Sequence, residues 1–237
     1  MILLAVVGVA LTMIVVEILV SARPWPRVAG WWMRAGLLNG FQFGIAWVAG
    51  HSWEASLSRY RPWSADGFGV VGGAMVGYLV ITFVYYWWHR LRHEVPLLWR
   101  WLHQVHHSPE RIEILTSFYK HPFEIVLNSF LSTAILYFIV GVSPEAAAYA
   151  VLLTGLAELF YHWNVTTPYW LGFIVQRPES HCVHHQCGLH AGNYADLPLW
   201  DICFGTFHNP RQWNDCCGFG AGRERRLLEM LCGRLIL

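Results

Sequence analysis

Long apolar runs separated by short polar segments dominate the first two thirds of the chain. A transmembrane helix needs about 20 mostly apolar residues to cross the hydrocarbon of a bilayer. Runs of this kind occupy residues 1–20, 30–50, 68–88, 122–142 and 144–163. The second run is the weakest, because Arg34, Asn39 and Gln42 interrupt it. The pattern therefore predicts an all-α fold, a polytopic membrane helix bundle of four to five transmembrane helices.

The polar segments between these runs predict how the bundle is oriented. Residues 1–20 have no cation before Arg23, unlike the basic start of a cleaved signal peptide, so we expect a retained span. Basic residues of short loops collect on the cytoplasmic side of a membrane, and here they concentrate in segments 21–34 and 89–121. We therefore expect the N-terminus outside the cell, and segment 89–121 and the region after residue 163 in the cytoplasm.

The last third of the chain has lower hydropathy and more proline and glycine. It predicts a cytosolic, histidine-rich helical cap on the bundle. We divide the chain into N-terminal transmembrane helices and loops (1–67), a central domain (68–210) and a C-terminal tail (211–237). The arginines and leucines of the tail recur with a helical period, so it either lies on the membrane surface or packs as a terminal helix.

Composition supports a membrane protein and excludes nucleic acid as a partner. Hydrophobic residues make up 55% of the chain and charged residues only 13%, against about a quarter in soluble proteins. The net charge of +1 gives no basic field for nucleic acid, which we exclude as a partner. One lysine against 15 arginines is typical of a GC-rich, bacterial genome, which favours a bacterial inner membrane over the endoplasmic reticulum. The six cysteines include no CxxC pair and predict reduced thiols, with Cys182 and Cys187 as alternative soft metal ligands.

Thirteen histidines are the candidate chemistry of the chain, and eight of them are spaced by three or four residues. Residues so spaced share one face of a helix. Buried together without a metal, these rings would repel one another when protonated or leave nitrogens unsatisfied. A zinc site takes three or four protein ligands, so the set exceeds one site, and neutral imidazole suits iron, copper, zinc and nickel alike. The eight are His89, His93, His103, His106, His107, His181, His184 and His185.

Two other interpretations of the histidines stay open at this point, namely metal binding without catalysis and haem binding. A metal transporter, or another membrane protein that binds metal without catalysis, would also need many ligands. Transporters place them near the middle of the bilayer, whereas these clusters follow the ends of apolar runs. A haem protein needs one or two axial histidines per haem and would leave most of the set unexplained.

The motifs around the histidines resemble those of a known family. The segments "YYWWHRLRHEVPLLWRWLHQVHHSPE", "HPFE", "FYHWNV", "HCVHH" and "NYADLPLWDICFGTF" are similar to the membrane-bound fatty acid hydroxylase superfamily, in its sterol desaturase branch. The resemblance covers about residues 85–207 and implies a di-iron centre, a four-helix membrane core and a cytosolic cap. The ligands it implies are His89, His93, His103, His106, His107, His162, His181, His184 and His185.

Several other residues receive supporting roles by the same resemblance or by their position. Relatives often carry a further histidine four residues before His162, where this chain has Glu158, so Glu158 is either a direct or water-mediated ligand or a packing residue. We expect His121 of "HPFE" to orient a ligand or to be structural, and His190 with Asn193 to support the last cluster. Asp201 is expected to tie the cap together, and His51 and His208 to be structural.

The resemblance implies an oxidoreductase that uses two iron ions and O₂ to hydroxylate or desaturate a C–H bond of a sterol or fatty acyl lipid. The apolar spans would admit the lipid tail, and the cap would hold the metals at the membrane surface. The glycines at 69–73 lie inside an apolar run and not in a nucleotide-binding turn. An external electron donor of the ferredoxin or cytochrome b5 type is therefore expected.

Overall fold

The computed structural model describes residues 2–236, and within this range it is built from helices and loops without a β-strand. The α-helices are α1 (Ile2–Val20), α2 (Trp31–His51), α3 (Trp53–Leu57), α4 (Gly69–Glu94), α5 (Pro96–Leu98), α6 (Gln104–His107), α7 (Pro122–Ala134), α8 (Pro144–Tyr161), α9 (Pro178–His184), α10 (Pro198–Phe204) and α11 (Leu227–Leu231). Short 3₁₀ turns occupy Asp66–Phe68, Ile114–Thr116, Tyr169–Phe173 and Arg223–Arg225. Wider π turns occupy Trp99–His103 and Ile135–Val140. The all-α prediction is confirmed.

Helices lie at all five predicted spans, but they do not all have the character of a membrane span. Among the described residues, two helical stretches are long and apolar enough to cross a bilayer, Asp66–Glu94 with 29 residues and Pro122–Val140 with 19. The helices α1, α2 and α8 occupy the other three positions. The number of four to five transmembrane helices therefore stays a prediction.

A sharp turn joins the second apolar stretch to α8. Gly141 ends the π turn with φ of 76°, and Ser143 caps α8 by accepting the N–H of Ala146 at 3.2 Å. A Cβ on Gly141 would lie 2.6 Å from the carbonyl oxygen of Trp63, so both the conformation and the space require glycine. Proline at the first position of α8 suits a helix start, where its missing N–H is not needed. The chain therefore returns at once towards the end of the bundle from which it came.

The two largest hydrophobic cores of the described residues lie in different parts of the molecule. One lies inside the bundle, where α4 and α8 pack with the turn after α7. The other lies in the cap and buries residues from α2, α6, the 114–120 segment and the C-terminal tail, namely Trp31, Val105, Tyr119, Phe219, Leu227, Met230 and Ile236. Gln104 adds polar contacts to the tail, because its amide donates to Arg234 O at 2.9 Å and accepts the N–H of Ile236 at 3.2 Å. The tail therefore packs on the cap beside the start of α2.

Candidate metal centre

Four separate stretches of the chain carry the histidine cluster. The C-terminal turns of α4 carry His89 and His93, and the π turn with α6 carries the "HQVHH" motif. His162 directly follows α8, and α9 carries His181 and His184, with His185 directly after its last residue. The π turn Trp99–His103 lies directly before α6, and such turns are common at functional sites. All nine predicted ligands are thus helical residues or lie directly at a helix end.

The nine rings meet in two adjoining groups. One group contains His89, His93, His103, His107 and His184, and the other contains His106, His162, His181 and His185. Within each group, one candidate ligand atom per residue lies within 4.8 Å of every other. Sequence neighbours are divided between the groups, since His106 and His107 separate, as do His184 and His185. Each group therefore offers enough nitrogens for one metal ion.

The nitrogens of these rings fit a metal better than they fit one another. Three Nε2 pairs lie at 2.9–3.1 Å, joining His89 with His103 and His181 with both His162 and His185. Other buried ring nitrogens have no hydrogen-bond partner within the described part of the chain, and these are His93 Nε2, His106 Nδ1, His107 Nε2, His184 Nε2 and His185 Nδ1. A buried polar atom without a partner is destabilising. Bound metal ions would satisfy these nitrogens together.

Backbone carbonyls orient several of the rings from outside the cluster. The Nδ1 of His89 donates to Tyr194 O at 2.7 Å, and the Nδ1 of His184 donates to Gly192 O at 2.6 Å. These oxygens belong to the "HAGNYAD" loop, in which His190 and Asn193 have φ of 45° and 49°. Such left-handed conformations are uncommon outside glycine and mark a loop held by its surroundings. With Nδ1 engaged, Nε2 of each ring is left to face the centre.

Three side chains that the sequence did not single out also contact the rings, and one of them is Arg92, whose Nη1 lies 3.2 Å from His103 Nδ1. Glu124 is fully buried, and its Oε1 accepts from Arg92 and lies 3.0 Å from His103 Nδ1. Gln176 is buried with its side-chain amide 2.6 Å from His181 Nδ1. A sequence signal did exist for Glu124, because it is the acid of "HPFE" at the start of an apolar run. Nothing comparable marks Gln176.

The predicted supporting residues lie outside both groups, and three of them have clear contacts. Glu158 pairs through its side chain with Lys120, while its backbone carbonyl accepts from His162 Nδ1 at 2.8 Å. His121 accepts the N–H of Phe123 at 3.1 Å and so caps α7. His190 Nδ1 lies 3.1 Å from His107 Nδ1, at the edge of the cluster.

Asn193 and Asp201 organise the cap. The Asn193 side chain donates to Ser180 O and His208 O, at 2.7 and 2.8 Å. The Asp201 carboxylate accepts the backbone N–H groups of Tyr194 and Ala195, at 2.8 and 3.0 Å. These bonds hold the loop whose carbonyls orient His89 and His184. Cys182 and Cys187 belong to neither group of candidate ligands.

Burial keeps the cap histidines neutral. It lowers the pKa of His184 to about 3 and the pKa of His190 to about 4. Burial also lowers the pKa of five more cap rings well below their usual range, and the charge that neighbouring histidines would carry when protonated adds to the effect. These rings are His103, His106, His107, His181 and His185. Neutral imidazole is the form that binds a metal ion. The rings are therefore held in the form that a metal site needs.

A long cavity of about 540 Å³ leads from the cluster into the bundle. His89 and His103 of the first group and His106 and His181 of the second line one end. From there the cavity runs between α2, α4, α7 and α8, and its lining along α8 extends from Glu158 to Pro144. At 1.5 Å per residue, this stretch of helix is about 20 Å long. The cavity can therefore take an elongated, mainly apolar molecule with one end at both histidine groups.

Comparisons with known proteins agree with this arrangement. Ornithine lipid hydroxylase OlsE of Rhizobium tropici is 30% identical over 182 residues, which are 74% of this chain and 53% of that protein. Alkylglycerol monooxygenase of Homo sapiens is 32% identical over 134 residues, 55% of this chain and 29% of that protein. Very-long-chain aldehyde decarbonylase GL1-9 of Oryza sativa is 27% identical over 140 residues, 57% of this chain and 54% of that protein.

These matches span about half the length of the curated relatives or less. No solved structure matches the chain. The family model described as fatty acid hydroxylase matches residues 74–206, more than half of the chain and every one of the nine clustered histidines. This chain belongs to the fatty acid hydroxylase family.

Proposed function

We propose that the protein is a membrane-bound oxidoreductase that uses O₂ and two iron ions to hydroxylate or desaturate a C–H bond of a lipid. One observation carries the proposal, namely that two histidine groups lie side by side at the end of a long apolar cavity. Nitrogen ligands alone do not select iron. The choice of iron is supported by the family and by relatives named as a hydroxylase and a monooxygenase. Bound iron would supply the activation of O₂ that oxidation of an alkyl C–H bond requires.

The chain's own contribution is to position the lipid and to exclude water. Two rings from each group face the cavity, so an alkyl chain in it would reach both groups at once. The apolar wall holds the chain in a fixed orientation against them, which lowers the entropic barrier to reaction. Ile81 and Leu136 form part of this wall, and both are buried in the bundle core.

Protons have a candidate source beside the cluster. Asp196 lines the cavity, and its carboxylate accepts from Tyr161 Oη at 3.2 Å. Burial, helped by the nearby Glu158 carboxylate, raises the pKa of Asp196 to about 7. A group with a pKa near neutrality can both give and take up a proton. We assign Asp196 to proton delivery on this basis.

The reaction needs electrons that the lipid alone does not provide. Hydroxylation converts C–H, O₂, two electrons and two protons into C–OH and water. Desaturation uses the same O₂, electrons and protons, removes two hydrogens from the lipid and forms two waters. Either outcome therefore requires a two-electron supply, and we propose a ferredoxin or cytochrome b5 type donor.

The substrate class and location follow as further parts of the proposal. Two relatives are named as an ornithine lipid hydroxylase and an alkylglycerol monooxygenase. We propose a fatty acyl or sterol type lipid as the substrate, which would lie in the long, mainly apolar cavity. We place the enzyme as a multi-pass protein of a bacterial inner membrane with its centre on the cytoplasmic side. Residues 68–210 form the catalytic domain in this proposal, between the N-terminal helices (1–67) and the tail (211–237).

Metal analysis joined to lipid profiling tests the proposal. The protein is purified without oxygen, its metals are measured, and host lipids are compared by mass spectrometry with and without O₂. About two irons per chain and a new hydroxylated or unsaturated lipid are expected. His106→Ala and His184→Ala, one from each group, should abolish the product while the protein still enters the membrane. Stoichiometric zinc after anaerobic purification, with unchanged lipids, would favour non-catalytic metal binding or transport.

A cavity variant tests the proposed lipid path separately from the metals. Gly155 of α8 lines the cavity, and a Cβ there would meet no atom within 4 Å. Gly155→Phe should fill the space, leave the iron content unchanged and lower product formation at least tenfold. Gly36→Phe is the matched control, because Gly36 of α2 also has open space around it but does not line the cavity. Equal activity of the two variants would contradict the proposed path.

A further inference from the structure

A second cavity, of about 620 Å³, lies beside the bundle and shares no lining residue with the first. It is enclosed by the end of α1, the loop at 21–30, the start of α2 and the segment at 111–115. This segment follows the "HQVHH" motif by only a few residues, so the cavity lies at the same end of the bundle as the histidine cluster. The cavity has no part in the proposed oxidation.

The lining of this cavity is divided into an apolar and a cationic part. Ile14 and Ile18 lie one turn apart on α1, and Leu115 and Trp32 continue the apolar part. Beyond the ends of the two helices, the lining is cationic and consists of Arg23, Arg27 and Arg111. An apolar stretch along a helix followed by cations at its end matches the arrangement of a lipid's tail and its charged headgroup.

The guanidinium groups of the three arginines have few partners among the described residues. Arg111 is only 7% exposed and donates to Pro26 O, yet its Nε has no partner among the described residues. Arg23 lies 3.8 Å from Glu179, and its buried Nε is likewise unpartnered within residues 2–236. Arg27 is exposed and has no ion pair with any described residue. Both Nε atoms are shielded from the cavity, so the Nη groups would meet a ligand there, and the side chain of Arg23 makes no hydrogen bond with a described residue.

Two carboxylates also line the cavity, but protein donors occupy them. Glu17 Oε2 accepts the backbone N–H groups of Ile114 at 3.2 Å and Asn164 at 2.8 Å. Glu113 Oε1 accepts the indole N–H of Trp31 at 2.5 Å, and its Oε2 lies 3.8 Å from Arg111. Three arginines therefore face two engaged carboxylates, and the balance of charge favours an anion.

We propose that this cavity binds the phosphate of an anionic phospholipid, with the lipid's acyl chain lying along α1. Arginine is well suited to phosphate, because its planar guanidinium donates two parallel hydrogen bonds. Basic pockets between membrane helices are a recurrent place for anionic headgroups. The apolar half of the cavity selects a lipid over free phosphate, since free phosphate would leave Ile14 and Ile18 uncovered.

Native mass spectrometry of the intact, iron-loaded protein in detergent tests the site. Phosphatidylglycerol should bind more tightly than phosphatidylcholine of the same chain length. Arg27→Gln should weaken phosphatidylglycerol binding about fivefold, which is about 1 kcal/mol for one arginine near a membrane surface. Arg27→Lys should retain most of the affinity. Arg59→Gln is the matched control, because Arg59 is exposed in the loop at the opposite end of the bundle.

Three results would overturn the proposal. Phosphatidylglycerol and phosphatidylcholine could bind equally, or Arg59→Gln could weaken binding as much as Arg27→Gln does. Inorganic phosphate could displace phosphatidylglycerol at equal concentration, which would show a site for the free anion and not for a lipid. Iron content is measured in each variant, and because Arg27 is exposed and unpaired among the described residues, it should not change.

Discussion

Three histidines of the cluster are each oriented by a backbone carbonyl that accepts from Nδ1. For His162 this is the backbone carbonyl of Glu158, one turn earlier on α8. The side chain of Glu158 meanwhile pairs with Lys120. A carbonyl acceptor does not depend on residue type, so a glutamate at this position can support the ring without joining the metal. The same logic applies to His89 and His184, which also donate to carbonyls.

His103 differs, because its Nδ1 lies beside two charged side chains, the Glu124 carboxylate and the Arg92 guanidinium, whose Nη1 is 3.2 Å away. Glu124 Oε1 lies 3.0 Å from His103 Nδ1 and also accepts from Arg92, all in a buried setting. Such partners fix the tautomer of a ligand ring and raise its basicity, and their loss costs about 10- to 100-fold in metal affinity. We predict that Glu124→Gln, which keeps the shape but not the charge, lowers iron affinity within that range. Titration of the stripped protein with Fe²⁺ under anaerobic conditions measures it.

The control for this variant is Glu145→Gln. Glu145 is exposed in the first turn of α8 and far from either histidine group along the helix, so iron affinity should be unchanged. Unchanged iron affinity in Glu124→Gln would show that the carboxylate only neutralises Arg92. Glu124→Ala is expected to unfold the protein in part, because it leaves the Arg92 charge buried and unpaired at a cost of about 3–5 kcal/mol.

Helices α4 and α8 approach each other closely, and this contact brings His89 and His162 to one end of the bundle. Gly73 and Gly77 of α4 are four residues apart and face Ala146 and Ala150 of α8. Small residues at this spacing allow membrane helices to pack backbone to backbone. A Cβ on Gly77 would lie 2.8 Å from Leu136 Cδ2 and 3.3 Å from Ala150 Cβ. The contact therefore leaves no room for a larger residue.

We predict that Gly77→Val separates the two helices and with them the two histidine groups. Overpacking of a tight core costs about 1–3 kcal/mol. The variant should show a lower thermal midpoint in detergent and a lower iron content, both measured on the purified protein. Gly44→Val on α2 is the control, since a Cβ there meets no atom within 4 Å. A Gly77→Val protein with normal midpoint and iron content would show that the spacing of α4 and α8 is not what positions the site.

Hydropathy predicted the helices better than it predicted their ends. The run at 68–88 corresponds to α4, yet α4 continues to Glu94 and carries His89 and His93 inside the helix. Backbone hydrogen bonds do not stop where apolar residues stop, so hydropathy alone did not show the polar end of α4, although the spacing of His89 and His93 indicated a helix. The small-residue contact of Gly73 and Gly77 was also missed, because its meaning depends on the alanines of α8 facing it.

Local spacing marked eight of the nine histidines and the family resemblance added His162, but neither predicted how the rings divide between two groups. His103 and His107 are four apart and share a group, while His106 joins His162 from a distant helix. Adjacent helix positions point about 100° apart, so the spacing alone separates His106 from His107 without saying what each one meets. Glu124, Gln176 and the carbonyls of Gly192 and Tyr194 come from still other segments. Only tertiary packing brings them to the rings.

At the scale of the whole molecule, the buried histidines make folding depend on pH. Burial lowers the pKa of cap rings such as His106 and His181 below the ordinary value of 6.5, to about 3 for His184. A ring with a lowered pKa stays neutral in the folded protein but takes up a proton when the chain unfolds below 6.5. Its stabilising contribution is therefore complete above the ordinary pKa, and it is lost as the pH falls from there towards the folded value.

We predict that the metal-stripped protein loses thermal stability steeply between about pH 6.5 and about pH 5, and changes little from about pH 7 to about pH 8. Each buried ring contributes up to about 1.4 kcal/mol per pH unit, and several act together. Scanning calorimetry in detergent after chelation measures this loss. The slope of the unfolding free energy against pH gives the number of protons taken up on unfolding, and His184→Gln should lower that number by about one. A flat midpoint over this range would mean that the rings take up protons as readily in the folded protein as in the unfolded chain, so that burial does not hold them neutral.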